Sequence, residues 1–378
     1  MYRREVGLFN QTSLSRKELM AKKQYYDISN IMSTNAQYMI LLGQRANGKS
    51  YQAKKEALTS AYNKHKKFVY LRRWKDDIKA ASVEKYFVDM PIEEITHGEY
   101  DHIKAWHNNL YFAQHDDDGK SVRGIEIGMY GALNEAERYK SWAFTNPKTG
   151  DNYYEYIIYE EFITDKLYLN DEPNRLQQFV STVFRNAGGH VIMVGNTLSR
   201  VCPYFTEWCL DGTLNQKIGT IEVYHYHTED GGTVDIAVER CGSTTQKNKM
   251  FFGQSEKQIV SGEWDTREVP HLPRKYEEYD MVYEILVEYQ KFKFVMQLLI
   301  EPKEGGTIVY IYPHTKHREI LRKISTEFTD DIWTTSRLDN KRKAEAVIIN
   351  CFRIGKVCYS DNLTGADFNN CNAVMRIA

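Results

Sequence analysis

One eight-residue segment restricts the fold of this chain more than any other feature. It matches the phosphate-binding pattern G-x-x-x-x-G-K-[ST] in full and consists of Gly43, Gln44, Arg45, Ala46, Asn47, Gly48, Lys49 and Ser50. The apolar run 38–42 before it predicts a buried strand, and the residues from Lys49 to about Lys64 predict a helix. Because a helix N-terminus reached through a glycine-rich loop binds phosphate, we expect an α/β fold that binds a nucleoside triphosphate.

The residues of this loop have distinct expected roles. Glycines at both ends let the backbone wrap around phosphate oxygens, and the ammonium group of Lys49 reaches the β- and γ-phosphates. The hydroxyl of Ser50 completes the coordination shell of Mg2+. The expected ligands are therefore a nucleoside triphosphate and Mg2+.

A second segment places two acids at the end of a predicted strand. The apolar run 156–159 is followed directly by Glu160 and Glu161. In nucleotide hydrolases the first acid at such a strand end holds the metal shell, and the second polarises the attacking water. We therefore expect Glu160 to bind Mg2+ and Glu161 to activate water.

A third segment contains one arginine with two possible roles. Apolar residues at one-sided helical spacing predict a helix over 174–186, and Arg185 lies outside its apolar stripe. Arg185 is either a cation favourably placed at a helix C-terminus or a finger that enters a neighbouring subunit's active site. The next strand, 191–194, ends in Gly195-Asn196. Spacing alone favours a structural role for Asn196, with a contact to the γ-phosphate as the alternative.

Composition excludes several classes of function. The 50 Lys and Arg residues against 51 Asp and Glu give a net charge of −1, which excludes coating of nucleic acid by bulk electrostatics. Any such contact is local, and the candidates are Lys341, Arg342 and Lys343.

The 6 cysteines form no C-x-x-C pair, which argues against a zinc site or a redox dithiol. No apolar run is long enough to span a bilayer, and the start lacks a signal peptide, so we expect cytosolic action and no membrane partner.

The order of the predicted elements indicates two domains. Strand and helix signals alternate to about residue 200, as in a sheet with helices on its faces. Two further strand-like runs, 221–227 and 234–239, surround a glycine-containing turn. We expect a P-loop ATPase domain over 1–240, a linker over 241–275 and a smaller α/β domain over 276–378.

Five segments in this order resemble the genome-packaging (encapsidation) ATPases of small tailed podophages, which are relatives of the large terminases. They span about residues 25–210 and comprise Gly43 to Tyr51, Val69 to Lys75, Ile157 to Ile163, Thr182 to Asn186, and Gly195-Asn196 with Pro203 to Phe205. The resemblance implies a P-loop NTPase of the additional-strand, catalytic-glutamate class. It also implies a mainly parallel sheet and a smaller C-terminal ribonuclease-H-like domain.

The family's activity follows from the same resemblance. It implies an ATPase that drives double-stranded DNA through the portal, or connector, into an empty procapsid. The subunits would form a homo-oligomeric ring, a pentamer, with a structural packaging RNA as a further candidate partner. Such a protein acts in the host cytoplasm, binds transiently at the portal vertex and is absent from the mature virion.

The resemblance also assigns roles by position at the nucleotide. Lys49 and Ser50 would bind phosphate and Mg2+, and Tyr51 belongs to the same matching segment. Glu161 would activate water. Tyr26 falls where the family places contacts on the adenine side of ATP.

Further positions carry over to the subunit interface. Arg185 would act in trans on the ATP of the neighbouring subunit. Arg72, Arg73 and Lys75 fall in a basic stretch that resembles the family's interface segment, with Lys75 as the trans-acting lysine. The family commonly has Asp where this chain has Glu160. The extra methylene moves the carboxylate by about 1.5 Å, which a water-mediated Mg2+ contact absorbs.

Two interpretations of the C-terminal domain stay open. Large terminases cut DNA with clustered acids that bind two metals. The candidate acids here have no spacing that compels such a site and are Glu284, Glu288, Glu301, Asp339 and Asp361. We favour a non-cutting domain that grips DNA or docks onto the portal. The alternatives are a terminase with an active nuclease and a structural assembly factor that binds ATP with negligible turnover.

Overall fold

The structure is a computed structural model, and the residues it describes are 26–142, 144–145, 151–185, 188–242, 264, 266, 268–302, 305–315, 319–327 and 329–377. They form two compact units. The first is drawn from residues up to 163, 169–197 and the described residues from 210 to 242, and the second from 164–168, 198–209 and the residues from 264 on. Most of the predicted linker lies outside the described residues. No helix among the described residues is long and apolar enough to cross a membrane.

The first unit is built on a nine-stranded sheet. Its strands are β1 Tyr38–Gly43, β2 Lys67–Arg72, β3 His102–Trp106, β4 Asn109–His115, β5 Ser121–Ala132, β6 Tyr154–Glu160, β7 His190–Asn196, β8 Ile221–His227 and β9 Thr233–Arg240. Their order is β3-β4-β5-β2-β6-β7-β1-β9-β8. Pairing is parallel between neighbours from β5 through β2, β6, β7 and β1 to β9, and it is antiparallel in the three outer pairs β3–β4, β4–β5 and β8–β9. The predicted mainly parallel sheet is confirmed.

One strand, β7, lies between the strand that precedes the phosphate loop and the strand that carries the two acids. Val194 of β7 pairs with Leu41 of β1 on one side and with Glu160 of β6 on the other. All three strands run in the same direction, so their carboxyl ends meet at one edge of the sheet, which is where open α/β sheets bind ligands. The additional strand predicted for this class of NTPase is therefore β7.

Helices cover this sheet and explain its apolar strands. They are α1 Ser29–Met32, α2 Lys49–Asn63, α3 Ala80–Tyr86, α4 Ile92–Ile95 and α5 Glu172–Phe184. Short 3-10 turns occupy Lys75–Asp77, Leu133–Ser141 and Asp211–Asn215. All six residues of β1 are buried, because a strand in the middle of a parallel sheet has protein on both faces. The buried face of α2 includes Ala53, Ala57 and Leu58, which join the same core.

The second unit contains a six-stranded sheet. Its strands are β10 Asp280–Tyr289, β11 Phe292–Ile300, β12 Thr307–Pro313, β13 Lys323–Ser325, β14 Thr334–Thr335 and β15 Val357–Tyr359. Its helices are α6 Pro203–Glu207, α7 Lys343–Arg353 and α8 Asn362–Met375, with a 3-10 turn at Tyr276–Glu278. The order is β14-β13-β10-β11-β12-β15, in which an antiparallel meander is followed by strands parallel to its first member. This is the predicted ribonuclease-H-like arrangement.

Candidate nucleotide site

The phosphate loop joins β1 to α2 and depends on two glycines. Gly48 has φ +98°, a backbone conformation that a residue with a side chain rarely adopts. A Cβ atom on Gly43 would lie 3.1 Å from the carbonyl oxygen of Cys241 and 3.3 Å from Nδ2 of Asn47. A side chain at Gly48 would therefore be strained, and one at Gly43 would require its neighbours to shift by a few tenths of an ångström. Arg45 and Ala46 lie exposed at the outer part of the loop.

Lys49 is the charged centre of the loop and is only 3% exposed. Its Nζ atom lies 2.6 Å from the carbonyl oxygen of Gln44, 3.1 Å from Oδ1 of Asn47 and 3.5 Å from Oδ1 of Asn196. Burial lowers the pKa of Lys49 to about 8, although the charge of Glu160 opposes this shift. An ammonium group held by neutral oxygens in a buried site is suited to bind an anion.

Three buried side-chain atoms at this edge have no hydrogen-bond partner among the described residues. They are Oε1 of Gln44, Nδ2 of Asn47 and Oε1 of Glu160. A buried polar atom without a partner is costly, so a ligand that satisfies it gains affinity. The Asn47 amide can donate to a phosphate oxygen, and the Glu160 oxygen can accept from a hydrated cation. Together with the partly buried Ser50, these residues fit a magnesium triphosphate.

The two acids at the end of β6 have different surroundings. Glu160 is 7% exposed, and its Oε2 accepts a hydrogen bond of 2.8 Å from the hydroxyl of Tyr70. The side chain of Glu161 is 64% exposed, and its backbone has φ +55°. Arg72 at the end of β2 contacts both, with Nη1 3.6 Å from Glu160 and Nη2 2.6 Å from Glu161. The buried acid is suited to hold a metal shell and the exposed acid to contact water.

A buried ion pair fixes the backbone of Glu161. Arg73 donates to both carboxylate oxygens of Glu172, at 2.8 and 3.0 Å, and the Tyr159 hydroxyl donates to the same carboxylate at 2.7 Å. The Arg73 guanidinium also donates to the carbonyl oxygens of Glu161, at 3.1 Å, and Phe162, at 2.6 Å. The strained φ of Glu161 is thus held by the surrounding structure, as such strain requires.

This arrangement differs from the expectation for the basic stretch after β2. We expected Arg72 and Arg73 at a subunit interface, but they are only 7% and 5% exposed and face the acids of their own chain. Their partner Glu172 opens α5 and was not singled out in the sequence. A weak signal for it exists, because Glu172 precedes a proline at the start of a predicted amphipathic helix.

Lys75 and Arg185, the expected trans-acting residues, are both exposed. Nζ of Lys75 lies 2.8 Å from Oε1 of Glu135, and an exposed pair of this kind contributes little stability. Arg185 follows α5 with φ +48°, and its N–H donates to Ser181. Its guanidinium has no hydrogen bond or ion pair with any described residue. Both cations are exposed, and Arg185 is the one of the two whose side chain has no partner among the described residues.

The remaining predicted nucleotide contacts lie close to the loop. Asn196 is the register partner of Gly43, which places its side chain beside Lys49. Tyr51 lies in the first turn of α2 and is partly buried against the core. The N–H of Tyr26 donates to the carbonyl of Asn47 at 3.0 Å.

The ring of Tyr26 is engaged inside the protein. It is 7% exposed, and its hydroxyl donates to Oε2 of Glu239 at 2.7 Å. Desolvation raises the pKa of Glu239 to about 7. The adenine contact of Tyr26 stays a prediction. Glu239 lies on β9, whose pairing with β1 was not expected, so its position near the loop was missed.

The predicted acids of the second unit are engaged in structural contacts. Glu288 pairs with Lys293 at 2.8 Å, and Asp361 accepts the N–H of Thr364 at the start of α8. Further contacts run from Gln297 to the Glu284 carboxylate and from the Lys341 N–H to the Asp339 carboxylate, whereas the Gly305 N–H bonds the backbone carbonyl of Glu301 and not its side chain. Within the described part of this unit, no three His, Cys, Asp or Glu side chains are close enough to share a metal ion.

The basic triplet of the second unit lies at the start of α7. Arg342 precedes the helix, and its guanidinium lies 5.6 Å from the ring centre of Trp333. Arg342 and the side chain of Trp333 are each partly exposed, at 36% and 46%. Lys341 and Lys343 flank it in the sequence. A nucleic-acid contact by these three residues stays a prediction.

The phosphate loop, the acid pair and the intervening strand β7 define a P-loop NTPase of the additional-strand class. Residues 20–247, which are 228 of the 378 residues, match the model of the family described as Podovirus DNA encapsidation protein (Gp16). The chain belongs to this family.

Similar proteins agree with this membership. The DNA packaging protein of Bacillus phage phi29 is 26% identical over 239 residues, which cover 62% of this chain and 62% of that protein. The DNA packaging protein of Bacillus phage B103 is 28% identical over 218 residues, or 57% of this chain and 58% of that protein. The match thus spans less than two thirds of the length of these relatives.

One solved structure is similar over nearly the whole chain. It is described as the bacteriophage Phi-29 viral genome packaging motor assembly. The TM-score is 0.53 at 18% identity, and the match covers 93% of this chain and 99% of the other. At this identity the similarity shows the fold.

Proposed function

We propose that this chain is an ATPase that drives double-stranded DNA into a procapsid through its portal. The observation that carries the proposal is the placement of Lys49 and the pair Glu160–Glu161 at one edge of a parallel sheet, with β7 between their strands. This is the arrangement of parts that triphosphate hydrolysis needs, in a member of a DNA encapsidation family.

The residues of the site divide the chemistry between them. The loop amides and Lys49 bind the β- and γ-phosphates and stabilise negative charge as the terminal phosphate leaves. The exposed carboxylate of Glu161 orients the attacking water and accepts its proton. Ser50 and Glu160 would hold Mg2+, which neutralises phosphate charge when bound. Asn47 and Asn196 add polar contacts around Lys49.

We infer that the active site is completed by a neighbouring copy in a homo-oligomeric ring, a pentamer on the portal vertex. Support comes from Arg185, an exposed cation without a partner among the described residues. Lys75 adds to it, because this lysine is exposed and its ion pair with Glu135 lies at the surface. Closure across an interface would couple hydrolysis in one subunit to the state of the next. The protein would act in the host cytoplasm and leave before the virion matures.

The second unit would grip DNA or dock onto the portal, with Lys341, Arg342 and Lys343 as contacts and packaging RNA as a further candidate partner. The structural engagement of its acids favours this over a terminase with an active nuclease. Clustered acids are needed to hold two metal ions for DNA cleavage. Incubation of the chain with DNA and Mn2+ should therefore leave the DNA uncut, and cleavage that is lost with Glu284→Gln or Asp361→Asn would favour the nuclease.

The direct test compares ATP hydrolysis by the wild type and Glu161→Gln, with and without DNA and procapsids. Loss of the general base should lower turnover by about 100-fold or more. The matched control is Glu155→Gln, since Glu155 lies at the other end of β6 and pairs with Lys64. ATP binding with equally low turnover in the wild type and in Glu161→Gln would favour the assembly factor.

A further inference from the structure

A second group of metal-ligating side chains lies on β3 and β4, the two strands at one edge of the nine-stranded sheet. Asp101 directly precedes β3, His102 opens it, and His115 ends β4. Antiparallel pairing of the strands, with His102 opposite Ala113, brings the three residues together. Their ligand atoms lie within 4.8 Å of one another, which holds for no other such group among the described residues.

The Asp101 carboxylate is shared by two imidazole rings. One oxygen contacts Nδ1 of His102. The other lies 3.0 Å from Nδ1 of His115 and accepts the His115 backbone N–H at 3.0 Å. The rings stack with centres 4.3 Å apart.

A third strand orients one of these rings. Nε2 of His102 lies 2.6 Å from Oγ of Ser121, the first residue of β5. Metal-bound histidines commonly donate their other N–H to a fixed oxygen, which sets the tautomer. When Nε2 donates to Ser121, the lone pair of Nδ1 faces the Asp101 carboxylate, and both are available to ligate a cation placed between them. In the other tautomer Nδ1 carries the proton and donates it to Asp101, and metal binding would displace that proton.

We propose that Asp101, His102 and His115 bind one divalent transition-metal ion of the zinc type. Two imidazole nitrogens and a carboxylate oxygen are ligands that Zn2+ prefers, with water completing the shell. Ligand atoms of one tetrahedral zinc lie about 3.3 Å apart, which is within the 4.8 Å spread of these three side chains. Their exposures of 33%, 25% and 53% leave the site open to solvent.

The site is chemically distinct from the nucleotide site. Mg2+ prefers six oxygen ligands and is a poor match for two imidazoles. Zinc at this position would tie the residue before β3 to the last residue of β4 and, through Ser121, to β5. The bound ion would therefore close the open end of an edge hairpin whose other end is the tight turn at 107–108.

The experiment uses the full chain without a histidine tag, stripped with EDTA, and no nucleotide. Zn2+ is titrated by calorimetry, and Co2+ is titrated by visible absorption, which reports nitrogen and oxygen ligation. The wild type should bind one ion per chain, with a rise in Tm upon Zn2+ addition. His102→Asn and His115→Asn should each weaken binding at least tenfold and abolish the rise in Tm.

Two matched variants test whether any surface histidine gives the same result. His107→Asn changes the tip of the same hairpin, and His225→Asn changes a ring that pairs with Asp235 alone, at 2.6 Å. Both should bind Zn2+ like the wild type. The proposal is overturned if the wild type takes up no stoichiometric ion, or if binding survives in both His102→Asn and His115→Asn. Either failure leaves the proposed ATPase untouched, because nucleotide is absent.

Discussion

Nη2 of Arg72 lies 2.6 Å from Oε2 of Glu161, at the ends of two neighbouring parallel strands. Nη1 of the same guanidinium lies 3.6 Å from Glu160. The proposed general base is therefore held by a guanidinium of its own chain, and we expect Glu161 to separate from Arg72 before it can orient the attacking water.

The first prediction concerns this restraint. Arg72→Lys keeps a positive charge beside the buried Glu160 but cannot hold both acids at once, because an ammonium group lacks the planar fork of a guanidinium. Basal ATP turnover should rise by about threefold to tenfold, the range expected for one partly exposed charged hydrogen bond. The ratio of DNA-stimulated to basal turnover should fall. A lower basal rate with an unchanged ratio would instead show that Arg72 orients Glu161 for catalysis.

The second prediction concerns the support of Glu161 by Arg73. Arg73→Lys removes the paired contacts to Glu172 and the donors to the carbonyls of Glu161 and Phe162. We expect kcat to fall by about tenfold or more, since misplacement by about 1 Å costs this much. KM for ATP should change little, because the Arg73 guanidinium contacts Glu172 and the backbone of Glu161 and Phe162.

Tyr159→Phe is the matched variant for this network. It removes only the hydroxyl that donates to Glu172, so its effect on kcat should have the same direction and be smaller. Both variants are also measured by urea unfolding. If the loss of turnover merely follows the loss of folded protein, Arg73 is structural and does not position Glu161.

The third prediction follows from the pKa of Lys49, which burial lowers to about 8. A bound triphosphate favours the charged ammonium, so binding above pH 8 should take up protons, with about half a proton per site near pH 8 and more at pH 9. Calorimetry in buffers of different ionisation enthalpy measures this uptake. In Lys49→Arg the uptake should vanish, because arginine stays protonated.

The same shift affects folding. The unfolded chain holds the Lys49 proton more tightly than the folded chain, so the cost of burying the ammonium is fully present below pH 8. This cost is relieved as the pH rises from 8 toward 10.5, the pKa of Lys49 in the unfolded chain. Lys49→Met should remove this contribution to the pH dependence of unfolding without nucleotide.

The fourth prediction concerns trans action by Arg185. When Arg185→Ala is mixed into rings with wild-type subunits, ATPase activity should fall more steeply than the fraction of mutant chains, because each mutant also disables a neighbour. Arg175→Ala at the other end of α5 is the control and should dilute activity in proportion. A proportional loss with Arg185→Ala would exclude trans action.

The fifth prediction concerns the second unit. Arg322 donates to both oxygens of Glu345, at 2.7 and 2.9 Å, and the two side chains are 4% and 0% exposed. Glu345→Gln leaves a buried guanidinium without its counterion, so it should destabilise the unit by about 3–5 kcal/mol. The double variant Arg322→Met with Glu345→Leu removes both charges, so it should lower the free energy of unfolding by less than Glu345→Gln alone. Urea unfolding followed by tryptophan fluorescence measures both.

This ion pair also has a pH signature. Desolvation raises the pKa of Glu345, but the hydrogen bond from Arg322 and further contacts outweigh it, so the net shift is downward. The contribution of Glu345 to stability is therefore fully present above the pKa of 4.5 that Glu345 has in the unfolded chain. It is lost as the pH falls below 4.5 and through the lower pKa of the folded chain. The wild type should lose this stability on acidification, and the double variant should not.

Sequence reasoning succeeded where the signal is local. The phosphate loop, its flanking strand and the helix over 49–63 follow from adjacent residues, and the structure confirms them. The order of the strands could not be predicted in this way, because the pairing of β9 with β1 joins residues that are almost 200 positions apart. Nothing near either strand encodes that neighbour.

The burial of the two arginines after β2 has the same explanation. The resemblance placed Arg72 and Arg73 in an interface segment, whereas in this chain Arg72 faces Glu160 and Glu161. Arg73 pairs with Glu172, which lies 99 positions away in the sequence. The grouping of Asp101 with His115 likewise arises from strand register, which the spacing in the sequence does not reveal. Partners brought together by the fold decide whether a charge is buried.

Strand β9 ends beside the phosphate loop. The N–H of Cys241, the residue after β9, donates to the carbonyl of Leu42 at 2.7 Å, and a Cβ atom on Gly43 would lie 3.1 Å from the Cys241 carbonyl oxygen. The end of β9 is therefore tied to the start of the loop by the main chain alone. A displacement of the loop would reach Cys241 through this backbone hydrogen bond, without any relay through side chains.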